Sequence, residues 1–326
     1  WQWQRAAYKE GLRQQFAEGE NAQPLDVDTA TRLGKDVHGY PVTVSGSFDN
    51  QRPLLLDNRI HERRAGYHVL SLMLTGGRHV CPVAILFSGN AQRVGNYVTP
   101  EDMTTVLQDA LYDCDWLPFE AFDRDAAVDG KNVKLHRERY QVLVVPPTEI
   151  IPHPTLAKVK EFFEAGGVVL GYGRLPSRSG TIGHSSAQIA NLRDAIWGRD
   201  VKPGMKACKT NAAGGRSYFL PEKPDVAAIS ASLHKDAGIP PVIEVLDGET
   251  DNWLHVLHRV KDANDIFFIC NQDHQGETKN FRLKLTAGGF PEVWDAMRNE
   301  INSVAFTRTG GVVALDLALE PMESVL

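Results

Sequence analysis

Three unbroken apolar runs restrict this chain more than anything else in it: PVAILF (82–87), YQVLVVPP (140–147) and VVLGYG (168–173). A strand on a one-sided sheet alternates apolar and polar residues. A run without that alternation needs cover on both faces, as a strand inside a helix-flanked parallel sheet has. Segments of helical period lie between and after these runs. TPEDMTTVLQDAL (99–111) opens with Thr99 as a cap, Pro100 in the first turn and acids at the positive end of the dipole. Its predicted inner face is Met103, Val106, Leu107, Ala110 and Leu111, with Asp102, Thr105, Asp109 and Asp113 opposite. TLAKVKEFFEAGG (155–167) turns Leu156, Val159 and Phe163 inward and stops at Gly-Gly. HSSAQIANLRDAIWG (184–198) and PDVAAISASLHKD (224–236) predict two further helices. The alternation predicts an α/β architecture with an open, mostly parallel sheet.

Both flanks read differently. PPVIEVL, WLHVLHRV, DIFFICNQ, NFRLKLT, PEVWDAM, SVAFTR and VVALDLAL are short strand candidates separated by Gly, Asp and Asn, a pattern that predicts a C-terminal β-sandwich. At the other end, residues 1–20 place Tyr8, Leu12 and Phe16 on one helical face, and residues 21–40 are polar loop. VTVSGSF, RPLLLDNRI and GYHVLSLML (within 41–74) predict a partial antiparallel β module, with HERRAG as a charged turn. The expected domains are residues 1–76, 77–238 and 239–326. A length of 326 residues accommodates two or three. The rhythm changes at LTGGRHVCPVAILF (74–87), and residues 1–75 are expected to pack poorly against the rest.

A net charge of −6 argues against a nucleic-acid partner, which requires a basic footprint. No run of 18 apolar residues is present, so no membrane-spanning helix is expected. The sequence starts at Trp1 and shows no signal peptide, which leaves a removed leader open. Cys81, Cys114, Cys208 and Cys270 form no C-x-x-C pair; buried reduced thiols are expected, and no zinc or redox site.

The chemistry-bearing candidates each have a plainer reading. Gly171-Tyr172-Gly173 follows an apolar strand, where a nucleophile elbow would sit, but tyrosine cannot replace Ser or Cys there. Leu175 and Pro176 break a dinucleotide pattern. His255 and His258 would share a helical face, but on a strand they point apart. Asp109, Asp113, Asp115, Glu120, Asp123 and Asp125 read as a solvated helix face and loop rather than a hydrolytic pair. Trp253, Phe267, Phe268 and Trp294 read as core more than as a sugar platform. The sequence therefore assigns no catalytic, cofactor-binding or metal-binding residue and no cofactor.

Residues 77–326 resemble the C-terminal half of α-L-rhamnosidase-type glycoside hydrolases, through HVCPVAILF, TPEDMTTVLQDALYDCDWLPFEAFDRD, YQVLVVPPTEIIP, KVKEFFEAGGVVLGYG, LHRVKDANDIFFICN, FPEVWDAMRNEI and LALEPMESVL. The resemblance implies an α/β domain like a class I glutamine amidotransferase lacking its nucleophile, followed by the sandwich. It places the catalytic acids in an upstream barrel that this sequence does not carry. Residues 1–80 resemble the Surfeit-locus cytochrome c oxidase assembly family, through WQWQRAAYKEGL, VSGSFDN and LLLDNRIHERRAGYHVLSLMLTGGRHV. That family is membrane-anchored and extracytoplasmic. The tetrapeptide GRHV (77–80) fits both, which points to a chimera joined there. The expected function is a non-catalytic portion of a glycoside hydrolase, inactive alone, acting as scaffold, oligomerisation element or glycan contact. Its expected partners are a glycan, a catalytic barrel or another copy of the chain. An oxidase assembly factor and a carbohydrate-binding module are the alternatives. The hydrolase part fits either a cytoplasmic or a secreted setting.

Overall fold

The computed structural model describes residues 77–87, 100–202, 204–248, 253–273, 276–295, 298 and 300–326, with short strand segments at Leu25–Asp26, Val42–Thr43, Arg59–His61 and Arg64–Gly66. The chain divides into two compact units, Trp1–Arg52 and Pro53–Leu326. In the first, Val42–Thr43 pairs parallel with Leu25–Asp26. In the second, Arg59–His61 and Arg64–Gly66 pair as a hairpin, so most of HERRAG is strand rather than turn. The helix expected over residues 1–20, the rest of the β module and the packing expected of residues 1–75 lie outside the described residues.

The second unit opens with β1 (Arg78–His79) and β2 (Val83–Phe87), followed by α1 (Pro100–Asp109), β3 (Cys114–Pro118) and α2 (Phe119–Asp125). A small antiparallel meander follows: β4 (Ala127–Asp129), β5 (Asn132–Leu135) and β6 (Glu138–Tyr140). Then come β7 (Val142–Val145), α3 (His153–Glu164), β8 (Val168–Tyr172), α4 (Ser186–Trp197), β9 (Ala207–Thr210) and β10 (Arg216–Leu220). Helix α5 (Val226–Ile229) runs on as a π-helical segment, Ser230–Asp236.

Six of these strands form one sheet in the order β9-β10-β8-β7-β2-β3. Every pairing is parallel except β9 with β10. Read along the chain, the five parallel strands stand in the order 2-1-3-4-5, the flavodoxin-like doubly wound arrangement. The unbroken apolar runs are explained by two-sided burial. Ala84, Leu86, Leu143, Val145 and Val169 face one core with Phe122, Leu156, Val159, Phe162, Ile189 and Trp197. Their neighbours Val83, Ile85, Val142, Val144 and Leu170 face the other, with Met103, Leu107, Ile229 and Leu233. Both faces are thus apolar although each strand still alternates in direction.

The remaining chain builds β11 (Glu244–Asp247), β12 (Leu254–Lys261), β13 (Asn264–Asn271), β14 (Lys279–Thr286), β15 (Phe306–Thr309), β16 (Val312–Leu319) and β17 (Ser324–Val325). One four-stranded sheet runs β11-β14-β16-β15 and another β17-β13-β12-β1. Leu254, Ile269 and Val325 of the second share a core with Phe281, Leu283, Val313 and Leu315 of the first. The edge strand β1 precedes the whole α/β region. His79 pairs with Arg259, Arg78 with Val260, and the Val80 N–H donates to the His258 carbonyl at 2.9 Å.

Several expectations change. Helix α1 ends at Asp109, and Leu111 adopts a left-handed φ of 61°. Its side chain therefore leaves the helix face and joins the C-terminal core. The reversal also removes Asp113 from the helix. Strand β10, RSYFL, and the meander of residues 127–140 carry too few apolar residues to be read from pattern. All four cysteines are free thiols; Cys81 and Cys270 are buried, but Cys208 is exposed on the antiparallel edge strand β9.

Candidate functional site

In a doubly wound sheet, ligands gather outside the carboxyl ends of the parallel strands. Strand β8 ends there in Gly171-Tyr172-Gly173. Tyr172 is 1% exposed and belongs to the core beneath the sheet. Gly173 takes φ +65° and donates its N–H to the Leu220 carbonyl at 2.8 Å. Gly171 is required by close packing, because a Cβ there would come 2.9 Å from Leu175 Cδ2 and 3.1 Å from Trp197 Cζ2. Turn geometry is present, but a buried phenol stands where a reactive group would be presented.

Beside this turn a cleft of about 250 Å³ is lined by Glu149, Arg174, Leu175, Ser177, Arg193, Val201 and Phe219. Arg174 Nη1 lies 3.3 Å and Arg178 Nη1 3.6 Å from the Glu149 carboxylate. The Glu149 carboxylate thus lies between two guanidinium groups and accepts a hydrogen bond from Arg174.

The acidic residues divide. Asp125 pairs with Arg124 at the surface, as expected of a solvated face. Asp123 accepts a hydrogen bond from Thr155 Oγ1 at 2.8 Å, and Lys158 Nζ donates to the carbonyls of Phe122, Asp123 and Ala126, so these residues stitch α2 to α3. Asp113 and Asp115 do not lie on a solvated helix face. The chain reverses at Leu111 and enters β3 at Cys114, which carries both carboxylates to His79 of β1. Asp113 Oδ2 is 2.6 Å from His79 Nε2, Asp115 Oδ2 is 3.7 Å from Nδ1, and Glu138 Oε2 is 3.9 Å from Nδ1. Tyr140 Oη donates to Asp115 Oδ2 at 3.0 Å.

Electrostatics in this cluster are strongly coupled. Burial works against charging His79, but the Asp113 hydrogen bond and the charges of Asp113, Asp115 and Glu138 outweigh it and raise its pKa above the ordinary value. Burial raises Glu138 above the ordinary carboxylate range. Burial also keeps the nearby Cys81 thiol protonated, pushing its pKa well up, and lifts Cys114 to about 12. Both cysteines are therefore inert as nucleophiles. Sequence reasoning did not select His79, Glu138 or Tyr140. They lie far from Asp113 and Asp115 in sequence terms, and only the pairing of β1 with β12 and the meander bring them together.

His255 and His258 sit on β12 and do not form a pair. His255 is opposite Cys270, whereas His258 stacks on Phe267 with ring centroids 4.2 Å apart and bonds Asp265 at 2.9 Å. Trp253 is 3% exposed and packs edge-on against Phe281. Phe267 and Phe268 fall into different clusters. Trp294, 37% exposed, is the one member of the aromatic set on the surface.

Comparison with known proteins places this arrangement. The alpha-L-rhamnosidase family model matches residues 66–308, and the SURF1 family model matches residues 1–109. A curated protein of Formosa agariphila named "Putative beta-glucuronidase" is 23% identical over 98% of this chain and 24% of its own length. The solved structure of a rhamnosidase from Novosphingobium sp. PP1Y superposes over 78% of this chain and 23% of its own length, with a TM-score of 0.56 and 19% identity. The chain thus spans about a quarter of the length of these two relatives.

Proposed function

Because this chain belongs to the alpha-L-rhamnosidase family of glycoside hydrolases, we propose that it is a non-catalytic portion of a carbohydrate-active enzyme. In this reading the doubly wound layer is an amidotransferase-like domain without a nucleophile. The paired antiparallel sheets form its C-terminal sandwich, and the two together support a catalytic barrel, shape its cleft or join copies of the enzyme. The observation that carries the proposal is the burial of Tyr172, at 1% exposure, in the turn where such a domain presents its reactive side chain. The sheet orders give further support: among the described residues, none is an eight-stranded barrel. The test is turnover of aryl α-L-rhamnoside and aryl β-galactoside by the purified chain. No release above the buffer rate is expected, and stoichiometry-corrected turnover would overturn the reading. Titration with rhamnose-containing oligosaccharides separates glycan contact from pure support.

The match of residues 1–109 to the SURF1 family favours a second reading for the N-terminal part, an oxidase assembly factor. Haem titration followed by visible spectroscopy tests it. The two family matches overlap across residues 66–109, and we propose a chimera joined at GRHV. Residues 78 and 79 act as an edge strand of the C-terminal sheet, which supports assigning the tetrapeptide to the hydrolase side. One continuous amplicon across codons 60–100 in independent samples would establish a true fusion; reads diverging at GRHV would split the chain into two proteins.

A further inference from the structure

Where β1 gives way to β2, four side chains from distant points in the chain converge. His79 Nε2 is 2.6 Å from Asp113 Oδ2. That distance leaves no room for an ion between them, because a metal at about 2.0–2.2 Å from each ligand holds its ligands roughly 3 Å apart or more. The Asp113 bond instead defines Nε2 as an N–H, so in the neutral ring the lone pair is on Nδ1. Nδ1 faces Asp115 Oδ2 at 3.7 Å and Glu138 Oε2 at 3.9 Å. Glu138 Oε2 is shut off from solvent and accepts no hydrogen bond among the described residues. Tyr140 Oη, donating at 3.0 Å, holds the Asp115 carboxylate in place. His79, Asp115 and Glu138 each offer a ligand atom, and all three atoms lie within 4.8 Å of one another. Three electron-rich atoms facing one point are stabilised by positive charge there, supplied either by a proton on Nδ1 or by a bound cation.

We propose that His79 Nδ1, Asp115 Oδ2 and Glu138 Oε2 bind a divalent transition-metal ion, zinc being the best match, with Asp113 orienting the histidine from behind. A ligating imidazole that passes its other N–H to a carboxylate is a recurrent outer arrangement of zinc sites. One nitrogen and two carboxylate oxygens suit zinc, whereas calcium and magnesium favour all-oxygen cages. Separations of 3.7 and 3.9 Å need to contract by only a few tenths of an ångström to reach the tetrahedral edge of about 3.4 Å. The Asp115 side chain is 36% exposed, which leaves an approach for water as a fourth ligand. Cys81 comes within reach of His79 and Asp113, but the short hydrogen bond closes that side and its Sγ donates to the Val83 carbonyl at 3.2 Å. Arg78 and Arg259 act on Glu138 from a greater distance; with three carboxylates against two guanidinium groups, the locus still favours a cation. The ion would fasten the edge strand β1 to β3 and β6. This site does not depend on the glycosidase reading.

The experiment is calorimetric titration of ZnCl2 into the full chain after EDTA treatment and desalting, with Co²⁺ absorption as a spectroscopic probe. One tightly bound zinc is expected. Glu138→Gln and Asp115→Asn should each weaken it by at least about 100-fold, and Asp113→Asn by about 10–100-fold. Absence of stoichiometric zinc binding in the native chain would overturn the proposal. So would undiminished binding in the Glu138→Gln and Asp115→Asn variants, or a preference for Ca²⁺ over zinc. If the variants do not fold, the native Co²⁺ spectrum decides. Intense visible bands of a low-symmetry nitrogen–oxygen site support the assignment, and the pale spectrum of hydrated Co²⁺ refutes it.

Discussion

Replacing Phe162 and Gly167 by alanine, singly and together, tests why α3 ends where it does. The helix closes in a Schellman arrangement: the Gly167 N–H donates to the Phe162 carbonyl at 2.9 Å and the Gly166 N–H to the Phe163 carbonyl at 3.1 Å. The two glycines are needed for different reasons. Gly166 has φ +103°, where an L side chain is strained. Gly167 has no such φ, but a Cβ there would lie 2.2 Å from Phe162 Cε2 and 2.3 Å from Cζ. Phe162 is 0% exposed, so its ring has nowhere to move without disturbing the core. Phe162→Ala should cost about 3–5 kcal/mol. Gly167→Ala should cost about 1–3 kcal/mol by overpacking. If the two effects were independent, the double variant would lose about 4–8 kcal/mol. In the double variant, however, the new methyl enters the space the ring has left, and alanine at a permitted φ restricts the unfolded chain by about 0.4–1 kcal/mol. The expected total is about 2–5 kcal/mol, a favourable coupling of about 2–3 kcal/mol. Urea unfolding at constant m-value measures all four corners of the cycle. Additivity within about 0.5 kcal/mol would refute the ring-contact explanation.

Three further expectations follow from local geometry. The hairpin between β12 and β13 turns through Asp262 and Ala263 at φ 50° and 66°, a type I′ turn with alanine where glycine is preferred; Ala263→Gly should raise stability by about 0.5–1 kcal/mol in urea titration, and a loss would contradict the turn assignment. Ser185 and Gln188 form a capping box at the start of α4, so Ser185→Ala should cost about 1 kcal/mol, while an unchanged midpoint would show the cap to be idle. Burial, and next the stacked His184 ring at 3.9 Å, lower the His153 pKa. The folded state then binds fewer protons at this site than the unfolded state, so the contribution of His153 is complete above about pH 6.5 and is lost as pH falls below that. An NMR titration of His153 should move upward in His184→Ala; an unmoved midpoint would assign the shift to burial alone.

The doubly wound layer was legible because β2, β7 and β8 are buried on both faces, and two-sided burial writes itself as an uninterrupted apolar run. Helix α4, expected over residues 184–198, spans Ser186–Trp197. What pattern could not reach depended on single backbone events or on topology. A positive φ at Leu111 moved one leucine from a helix face into another core and carried Asp113 out of the helix with it. Strand β10 opens with Arg216 and Ser217 behind a polar, glycine-rich turn, which cuts its apolar run to three residues. The His79 cluster is the clearest case. Each member is an ordinary surface-type residue in its own segment, and nothing in any one segment marks it. The parallel order that sets β3 beside β2 and the pairing of β1 with β12 create the cluster together.

That pairing also has a consequence for how the chain is made. Arg78 and His79 emerge from the ribosome long before Arg259 and Val260, their partners, have been translated. The α/β layer has time to fold during synthesis, while its first residues remain a bare strand edge awaiting a sheet that does not yet exist. Closure of the last sheet is therefore a late, long-range event, and such events fold slowly. Cutting the gene between the two layers near residue 239 would strand the edge on the wrong piece.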